Sequence, residues 1–105
     1  MELISEKYNL AVSDEAYEDI RRYIYTIRYE FDAPKTARKH YDELMALLEK
    51  IEKYPTLFSI RTGTSFLQYG NNARRANYKK MAIIYTVNGF TIDVHRVVAA
   101  SMIVD

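Results

Sequence analysis

The 105-residue sequence contains no cysteine, which excludes disulfide bonds, a thiol nucleophile and a thiolate metal site. It has only three glycines and two prolines, and no stretch has the low complexity of a linker. We therefore interpret residues 1–105 as one domain, since a chain of this length buries a single core. No apolar run approaches the roughly 20 residues of a membrane span, and no export signal is recognisable at the N-terminus. We expect a cytoplasmic protein that does not bind membranes.

Acidic residues are missing from one long part of the chain. Residues 53–92 contain six Lys and Arg but no Asp or Glu. Residues 1–52 carry twelve acidic and eight basic residues, so the formal net charge of +1 conceals a partition. A basic half favours an anionic partner such as RNA, DNA or an acidic protein, although a solvated sheet face is an alternative. The candidate target-binding or nucleic-acid-binding residues are Arg61, Arg74, Arg75, Lys79, Lys80 and Arg96.

The N-terminal half has the pattern of one strand followed by two helices. Residues 8–12 alternate as a half-buried strand does, and Ser13 is a plausible N-cap for the helix that follows. Apolar residues then recur at three- and four-residue spacing through residues 16–31, which predicts a helix of about 17 residues. Pro34 fits the first turn of a second helix, which ends near Tyr54-Pro55. The short connection predicts an antiparallel helical hairpin.

The C-terminal half changes to the two-residue period of β-strands. Apolar residues alternate on both sides of Asn88-Gly89, which predicts a type I′ hairpin with these two residues as its loop. An earlier strand around residues 73–78 is expected to join the sheet. The fold class is therefore α+β: an N-terminal strand, a two-helix antiparallel hairpin and a mostly antiparallel C-terminal sheet, in the order β-α-α-β-β-β.

This register pairs Tyr85 with Ile92 and places His95 opposite Ala82. One face of the sheet is expected to cover the helices, and the other face, with Lys80 and His95, is expected to be open. A histidine beside a carboxylate on an open face could serve as a general base, but a surface or partner-contacting histidine is the more common outcome.

Short motifs follow one another along the chain in an order found in a known family. The N-terminal motifs look like an opening strand and helix, an inter-helix turn and the end of a second helix, and the C-terminal ones like a central strand and a last strand ending in Arg-Val. The motifs are Tyr8-Asn9-Leu10-Ala11-Val12-Ser13 with Ala16, Asp19, Ile20, Tyr23 and Ile24, then Asp32-Ala33-Pro34 with Ala37, Tyr54-Pro55, Asn77-Tyr78, Ile83-Ile84-Tyr85 with Val87, and Ile92-Asp93-Val94-His95-Arg96-Val97. Together they resemble the RelE/ParE superfamily of toxins from bacterial type II toxin–antitoxin modules.

The resemblance implies a partner and two possible targets. It implies a cognate antitoxin that wraps the toxin and inhibits it. RelE-like members cleave messenger RNA in the ribosomal A site, whereas ParE-like members poison DNA gyrase. In RelE-like nucleases the segment after the last strand supplies His, Arg or Tyr, but here Ala99 stands about where many relatives carry histidine, and no Tyr or Arg follows.

The candidate catalytic residues for RNA cleavage are His95, Lys80 and Arg75, since such chemistry needs basic and acid–base groups around one phosphate. We interpret His40 as solvated and Arg96 as a structural partner of an acidic residue on the helices. The two histidines lack metal-ligand spacing, so we expect neither a metal nor a cofactor.

Three functions remain open from the sequence. The first is a toxin with a ParE-like, gyrase-directed or related non-nucleolytic action. The second is a ribosome-dependent endoribonuclease, so an enzymatic activity stays undecided. The third is a degenerate relative that binds an antitoxin without being toxic.

Overall fold

The computed structural model describes residues 8–104. Its strands are β1 (Asn9–Val12), β2 (Arg74–Tyr78), β3 (Met81–Asn88) and β4 (Thr91–Ala99), and its helices are α1 (Asp14–Tyr25), α2 (Pro34–Lys53) and the short α3 (Thr64–Leu67). A π-helical turn (Thr26–Glu30) continues α1, and a 3₁₀ turn (Ala100–Met102) follows β4. The predicted order of strand, helical hairpin and three strands is confirmed.

Local sequence explains the bounds of the helical hairpin. The Ser13 hydroxyl accepts a hydrogen bond from the Ala16 N–H at 3.0 Å, which caps α1. Pro34 occupies the first position of α2, where its missing N–H costs no hydrogen bond. Between the helices, Asp32 adopts a left-handed conformation (φ 48°) that reverses the chain. Ser13, Pro34 and the apolar periodicity of the two segments together predicted the two helices.

The four strands form one mixed sheet in the order β1-β4-β3-β2. β1 runs parallel to β4, and the other neighbouring pairs are antiparallel. The helical hairpin packs on one face of the sheet, where its apolar stripes bury the main core. The fully or almost fully buried members of this core are Ala16, Ile20, Leu44, Leu48, Ile51, Ala76, Ile83, Tyr85, Ile92, Val94 and Val97.

The predicted register of the β3–β4 hairpin is wrong. Asn88 pairs with Thr91, so Gly89 and Phe90 form the two-residue loop, and Gly89 supplies its positive φ of 61°. Tyr85 pairs with Val94 instead of Ile92, and a bulge between Ile84 and Tyr85 shifts the pairing further. The bulge leaves an extra residue on β4, which alternation alone does not reveal.

The second face of the sheet is covered, which corrects the expectation of an open face. Ile84 is 3% exposed and packs against Phe66 of α3, together with Tyr69 and Ile103. The Ser65 N–H donates to the Val104 carbonyl at 3.1 Å, so α3 and the C-terminal segment are joined over this face. The long loop after α2 and the C-terminal segment therefore build a second, smaller core.

Among residues 8–104, no helix combines the length and the apolar character that crossing a membrane requires.

Candidate functional site

The structure places His95 at the bulge of β4, where its side chain contacts Thr86 and Tyr69. Its Nε2 lies 2.8 Å from the Thr86 hydroxyl, and its ring stacks on Tyr69 with centroids 4.9 Å apart. Thr86 is itself 2% exposed. The predicted position opposite Ala82 is wrong, because Ala82 pairs with Val98. His95 thus packs between Thr86 and Tyr69 on the second face of the sheet, and its imidazole does not lie on an open surface.

Arg96 forms a bidentate ion pair with the buried carboxylate of Asp19. The guanidinium donates to the two carboxylate oxygens at 2.7 and 3.0 Å, and the Val97 N–H donates to the same carboxylate at 2.9 Å. The hydrogen bond to Asp19 raises the pKa of Arg96 above its ordinary value. The arginine lies opposite Ile84, not Met81. Its geometry matches the interpretation of a structural pair with α1.

The three arginines of the basic segment, residues 53–92, form hydrogen bonds with nearby parts of the chain. The Arg74 guanidinium donates to the Phe58 carbonyl at 2.6 Å and so fixes the loop that leaves α2. Arg75 donates to the Asn77 side chain at 2.8 Å. The N–H of half-buried Arg61 donates to the Ala73 carbonyl at 2.8 Å, which places Arg61 beside the start of β2.

The two adjacent lysines form the turn between β2 and β3. Tyr78 pairs with Met81, so Lys79 and Lys80 are the exposed two-residue loop. The prediction that Lys80 belongs to a strand face is therefore wrong. Lys79 has a positive φ of 51°, a conformation that L-residues other than Asn, Asp and Gly seldom adopt.

The three candidate catalytic residues are not brought together. Arg75 pairs with Ile84, and Ile84 pairs with Arg96 beside His95, so the backbones of Arg75 and His95 lie two strand spacings, about 10 Å, apart. Lys80 lies four residues from Ile84 along β3, which is roughly 13 Å at the rise of a strand. These backbone separations place the three residues at different points of the sheet.

A different set of polar side chains does converge, where α1, α2 and the end of β2 meet. We call it the polar corner; its members are Tyr23, His40, Glu43 and Tyr78. The Tyr23 hydroxyl lies 2.8 Å from His40 Nδ1, and the Tyr78 hydroxyl donates to Glu43 at 2.5 Å. The His40 ring meets the Tyr78 ring edge-on at 5.7 Å. His40 is therefore half-buried and bonded, which corrects its interpretation as solvated.

Burial and the hydrogen bonds of the polar corner change the pKa values of three of its members. Burial and the nearby Glu43 raise the pKa of Tyr23. Burial and the hydrogen bond to Glu43 raise the pKa of Tyr78. The hydrogen bond from Tyr78 is the main cause of a lowered pKa at Glu43, to which Lys79 and Lys39 also contribute. The corner therefore holds neutral tyrosines and an ionised carboxylate at neutral pH.

An aromatic groove lies on the other side of the helical hairpin, between α1 and α2. Its volume is about 300 Å³, and most of its lining is apolar. Four tyrosines line it with 42–61% of their surface exposed: Tyr17, Tyr25, Tyr29 and Tyr41. Arg21 and Arg28 also border it. Soluble proteins rarely leave such an aromatic patch uncovered unless it binds something.

Sequence reasoning missed this aromatic groove. The helical periodicity identified the stripe that faces the sheet, and Tyr17, Tyr25 and Tyr29 fell outside that stripe. Three tyrosines separated by multiples of four residues lie on roughly one side of a helix, which was a usable signal.

Within residues 8–104, no cluster of three or more His, Asp and Glu side chains is arranged to hold a metal ion.

No family model and no curated protein matches the chain. Its three-dimensional structure matches a solved structure of the chromosomal ParDE TA system from P. aeruginosa. The match has a TM-score of 0.71 and covers 90% of this chain and 98% of that chain, at 15% sequence identity. An identity this low shows a shared fold and leaves activity to be argued from the site. The chain therefore shares its fold with that structure from the ParDE system, in agreement with the fold that the resemblance of its motifs implied.

Proposed function

We propose that the protein is the toxin component of a type II toxin–antitoxin module and that an antitoxin inhibits it by occupying the aromatic groove. The fold shared with the ParDE system supports the general assignment. The proposal of a bound partner rests on the groove itself, where four tyrosines of the helical hairpin are partly exposed.

The groove suits an amphipathic helix with an acidic flank. A groove between two helices accepts apolar side chains that recur every three or four residues on a partner helix. Arg21 and Arg28 stand at its border and can pair with acidic residues beside that apolar stripe. Tyrosine and arginine are also the residue types that carry most binding energy at interfaces.

For the mode of action we propose a ParE-like, gyrase-directed or related action without nuclease chemistry. The face of the sheet that carries Arg75 and His95 is filled by Phe66, Tyr69 and Ile103. The segment after β4 forms a 3₁₀ turn of Ala, Ser and Met, which contributes no acid, base or cation. Both observations favour an inhibitor that acts by binding.

The test is controlled expression of the protein with pulse labelling of DNA, RNA and protein. We expect growth arrest with a primary block in DNA synthesis and intact messages. An immediate stop in protein synthesis with cleavage in the ribosomal A site would instead establish the nuclease. Unaffected growth would support the degenerate, antitoxin-binding relative.

Groove variants test the partner separately from the action. The product of a small open reading frame adjacent to this gene is the candidate antitoxin. Tyr25→Glu and Tyr41→Glu should remain toxic but escape rescue by that product. Tyr54→Glu is the matched control, because Tyr54 is 61% exposed but lies outside the groove. Equal rescue of all three variants would remove the groove from the interface.

A further inference from the structure

The turn between the two helices carries an exposed aromatic side chain. Phe31 is 73% exposed, and the exposed residues Glu30 and Asp32 flank it. We call Glu30, Phe31 and Asp32 the hairpin tip. Phe31 belongs to neither of the two cores of residues 8–104 and packs against neither of them. The fold therefore does not use this side chain, and it is available for contact with another molecule.

Backbone hydrogen bonds hold the hairpin tip in place. The Phe31 N–H donates to the Thr26 carbonyl at 3.1 Å, and the Ala33 N–H donates to the Ile27 carbonyl at 3.1 Å. The exposure of Phe31 is thus a fixed feature of the hairpin. A group that is already held in place loses little conformational freedom when it binds.

The charges of the hairpin tip and of the aromatic groove are complementary. Among residues 8–104, no ion pair involves Arg28 at the border of the groove, or Glu30 or Asp32 of the tip. The other cation at the border, Arg21, is already paired with Glu18 at 3.4 Å. The groove thus offers aromatic rings beside a cation without a carboxylate, and the tip offers an aromatic ring between two carboxylates without a cation.

The hairpin tip does not fill the groove of its own chain. Phe31 follows the lining residue Tyr29 by two positions but is not itself part of the lining. The tip therefore lies beside the end of its own groove, while a second copy can present its tip to that groove. A surface that carries both members of a complementary pair can form a two-fold symmetric dimer, in which each contact occurs twice.

We propose that the free protein forms a symmetric dimer in which the hairpin tip of each copy occupies the aromatic groove of the other. Phe31 packs among the tyrosine rings of the groove, where aromatic pairs add to the burial of apolar surface. Glu30 and Asp32 face Arg28 of the partner subunit and form charge-assisted hydrogen bonds with it. The dimer goes beyond the proposed function, because it needs no antitoxin. Only its consequence, that an antitoxin must displace the tip from the groove, rests on that function.

The proposed interface is small. It consists of two short turns in two grooves of about 300 Å³, which places it at the lower end of specific interfaces. We therefore expect a weak, concentration-dependent dimer in equilibrium with the monomer.

The test is sedimentation velocity of the full chain over a series of protein concentrations. We expect a monomer–dimer equilibrium in the unsubstituted protein. Phe31→Ala from the tip and Tyr41→Ala from the groove should each raise the dimer dissociation constant about tenfold. Leu57→Ala is the matched control, because Leu57 is 56% exposed but lies outside both tip and groove, and it should leave the constant unchanged. Far-UV circular dichroism establishes that each variant is folded.

A charge exchange tests the pairing of tip with groove. Arg28→Glu places like charges opposite each other in the dimer, and so does the tip variant Glu30→Lys with Asp32→Asn. Asparagine is chosen at position 32 because it tolerates the positive φ of 48°. Each variant alone should be monomeric, and an equimolar mixture should form a dimer, because both contacts of the mixed pair then join opposite charges.

These assays contain no antitoxin and no measurement of growth, so their result is independent of the proposed function. A protein that stays monomeric at every concentration would overturn the dimer. An equal effect of Phe31→Ala and Leu57→Ala, or a mixture of the two charge variants that stays monomeric, would overturn the contact between tip and groove.

Discussion

The two sides of the helical hairpin use the same residue type in opposite ways. On the side of the polar corner, the Tyr23 and Tyr78 hydroxyls are hydrogen-bonded across elements, so these tyrosines help to join α1, α2 and β2. On the side of the aromatic groove, Tyr25, Tyr29 and Tyr41 leave 42–59% of their surface exposed. A tyrosine that the fold needs is bonded and half-buried, and one that it does not need remains available to a partner.

The largest expected effect is a loss of stability when the ion pair that joins α1 to β4, on the side of the polar corner, is broken. Asp19→Ala removes the two short hydrogen bonds of Arg96, for which only the exposed Glu15 at 3.8 Å remains, and it leaves the Val97 N–H without an acceptor. Removing one member of a buried ion pair costs about 3 kcal/mol, which urea denaturation followed by circular dichroism measures. Glu18→Ala is the matched control, because its pair with Arg21 is exposed, and its effect should stay below about 0.5 kcal/mol. Similar losses for both variants would contradict the structural role of Asp19.

The second prediction concerns the groove side. Tyr41→Ala should weaken binding of the proposed antitoxin by about 2 kcal/mol, as expected for an aromatic residue at the centre of an interface. The free energy of unfolding of the isolated protein should change by less than about 1 kcal/mol, because Tyr41 is 42% exposed. Isothermal titration calorimetry and urea denaturation measure the two quantities. A large loss of stability without loss of binding would show that Tyr41 stabilises the fold and does not serve a partner.

A third prediction uses a tyrosine that is bonded inside the main core. The Tyr85 hydroxyl donates to the Pro55 carbonyl at 2.6 Å, and burial raises its pKa to about 12. The raised pKa means that this stabilisation is complete below the unfolded pKa of about 10 and is lost as the pH rises through about 12. Tyr85→Phe should cost about 1 kcal/mol at pH 7. Urea denaturation from pH 7 to 12 should show the difference between the two proteins shrinking above pH 10; a constant difference would contradict the assignment.

The smallest expected effect is a change of stability at the positive-φ residues of the two hairpin turns. Lys79→Gly should stabilise the protein by about 0.5–1 kcal/mol, because glycine adopts a positive φ without the strain of a side chain. Gly89→Ala should destabilise it by a similar amount, even though the space around Gly89 is open. Thermal melting of both variants provides the measurement. A destabilised Lys79→Gly would show that contacts of the lysine side chain outweigh its strain.

The sequence predicted the elements that depend on near neighbours. Ser13, Pro34 and the apolar stripes of the helices determine α1 and α2 through caps and spacing within a few residues. The bulge at His95 could not be predicted, because an inserted residue is recognised only from the pairing of β4 with β3. The covered second face was missed for a related reason: Phe66 and Ile103 lie outside the strands that they bury, so no period connects them.

The candidate site was predicted less well than the fold. Arg96 met an acidic residue on the helices as expected, but His95 and Lys80 moved to a bulge and a turn. The new position of His95 follows from the wrong β3–β4 register and its bulge, whereas Lys80 lies in the β2–β3 turn because Tyr78 pairs with Met81. The polar corner joins three elements that are distant in sequence. The spacing of His40 and Tyr78 along the chain therefore does not predict their contact.

The parallel pairing of β1 with β4 has a consequence for biosynthesis. The N-terminal strand can join the sheet only after β4 has been made, and the Ser13 hydroxyl donates to the His95 carbonyl across 82 positions. Contacts of such sequence separation form late in folding. On the ribosome, the emerging N-terminal half therefore lacks the sheet on which its helices pack until β4 has been synthesised. The N-terminal strand and the helical hairpin therefore depend, for their final packing, on a strand that is made some 80 residues later.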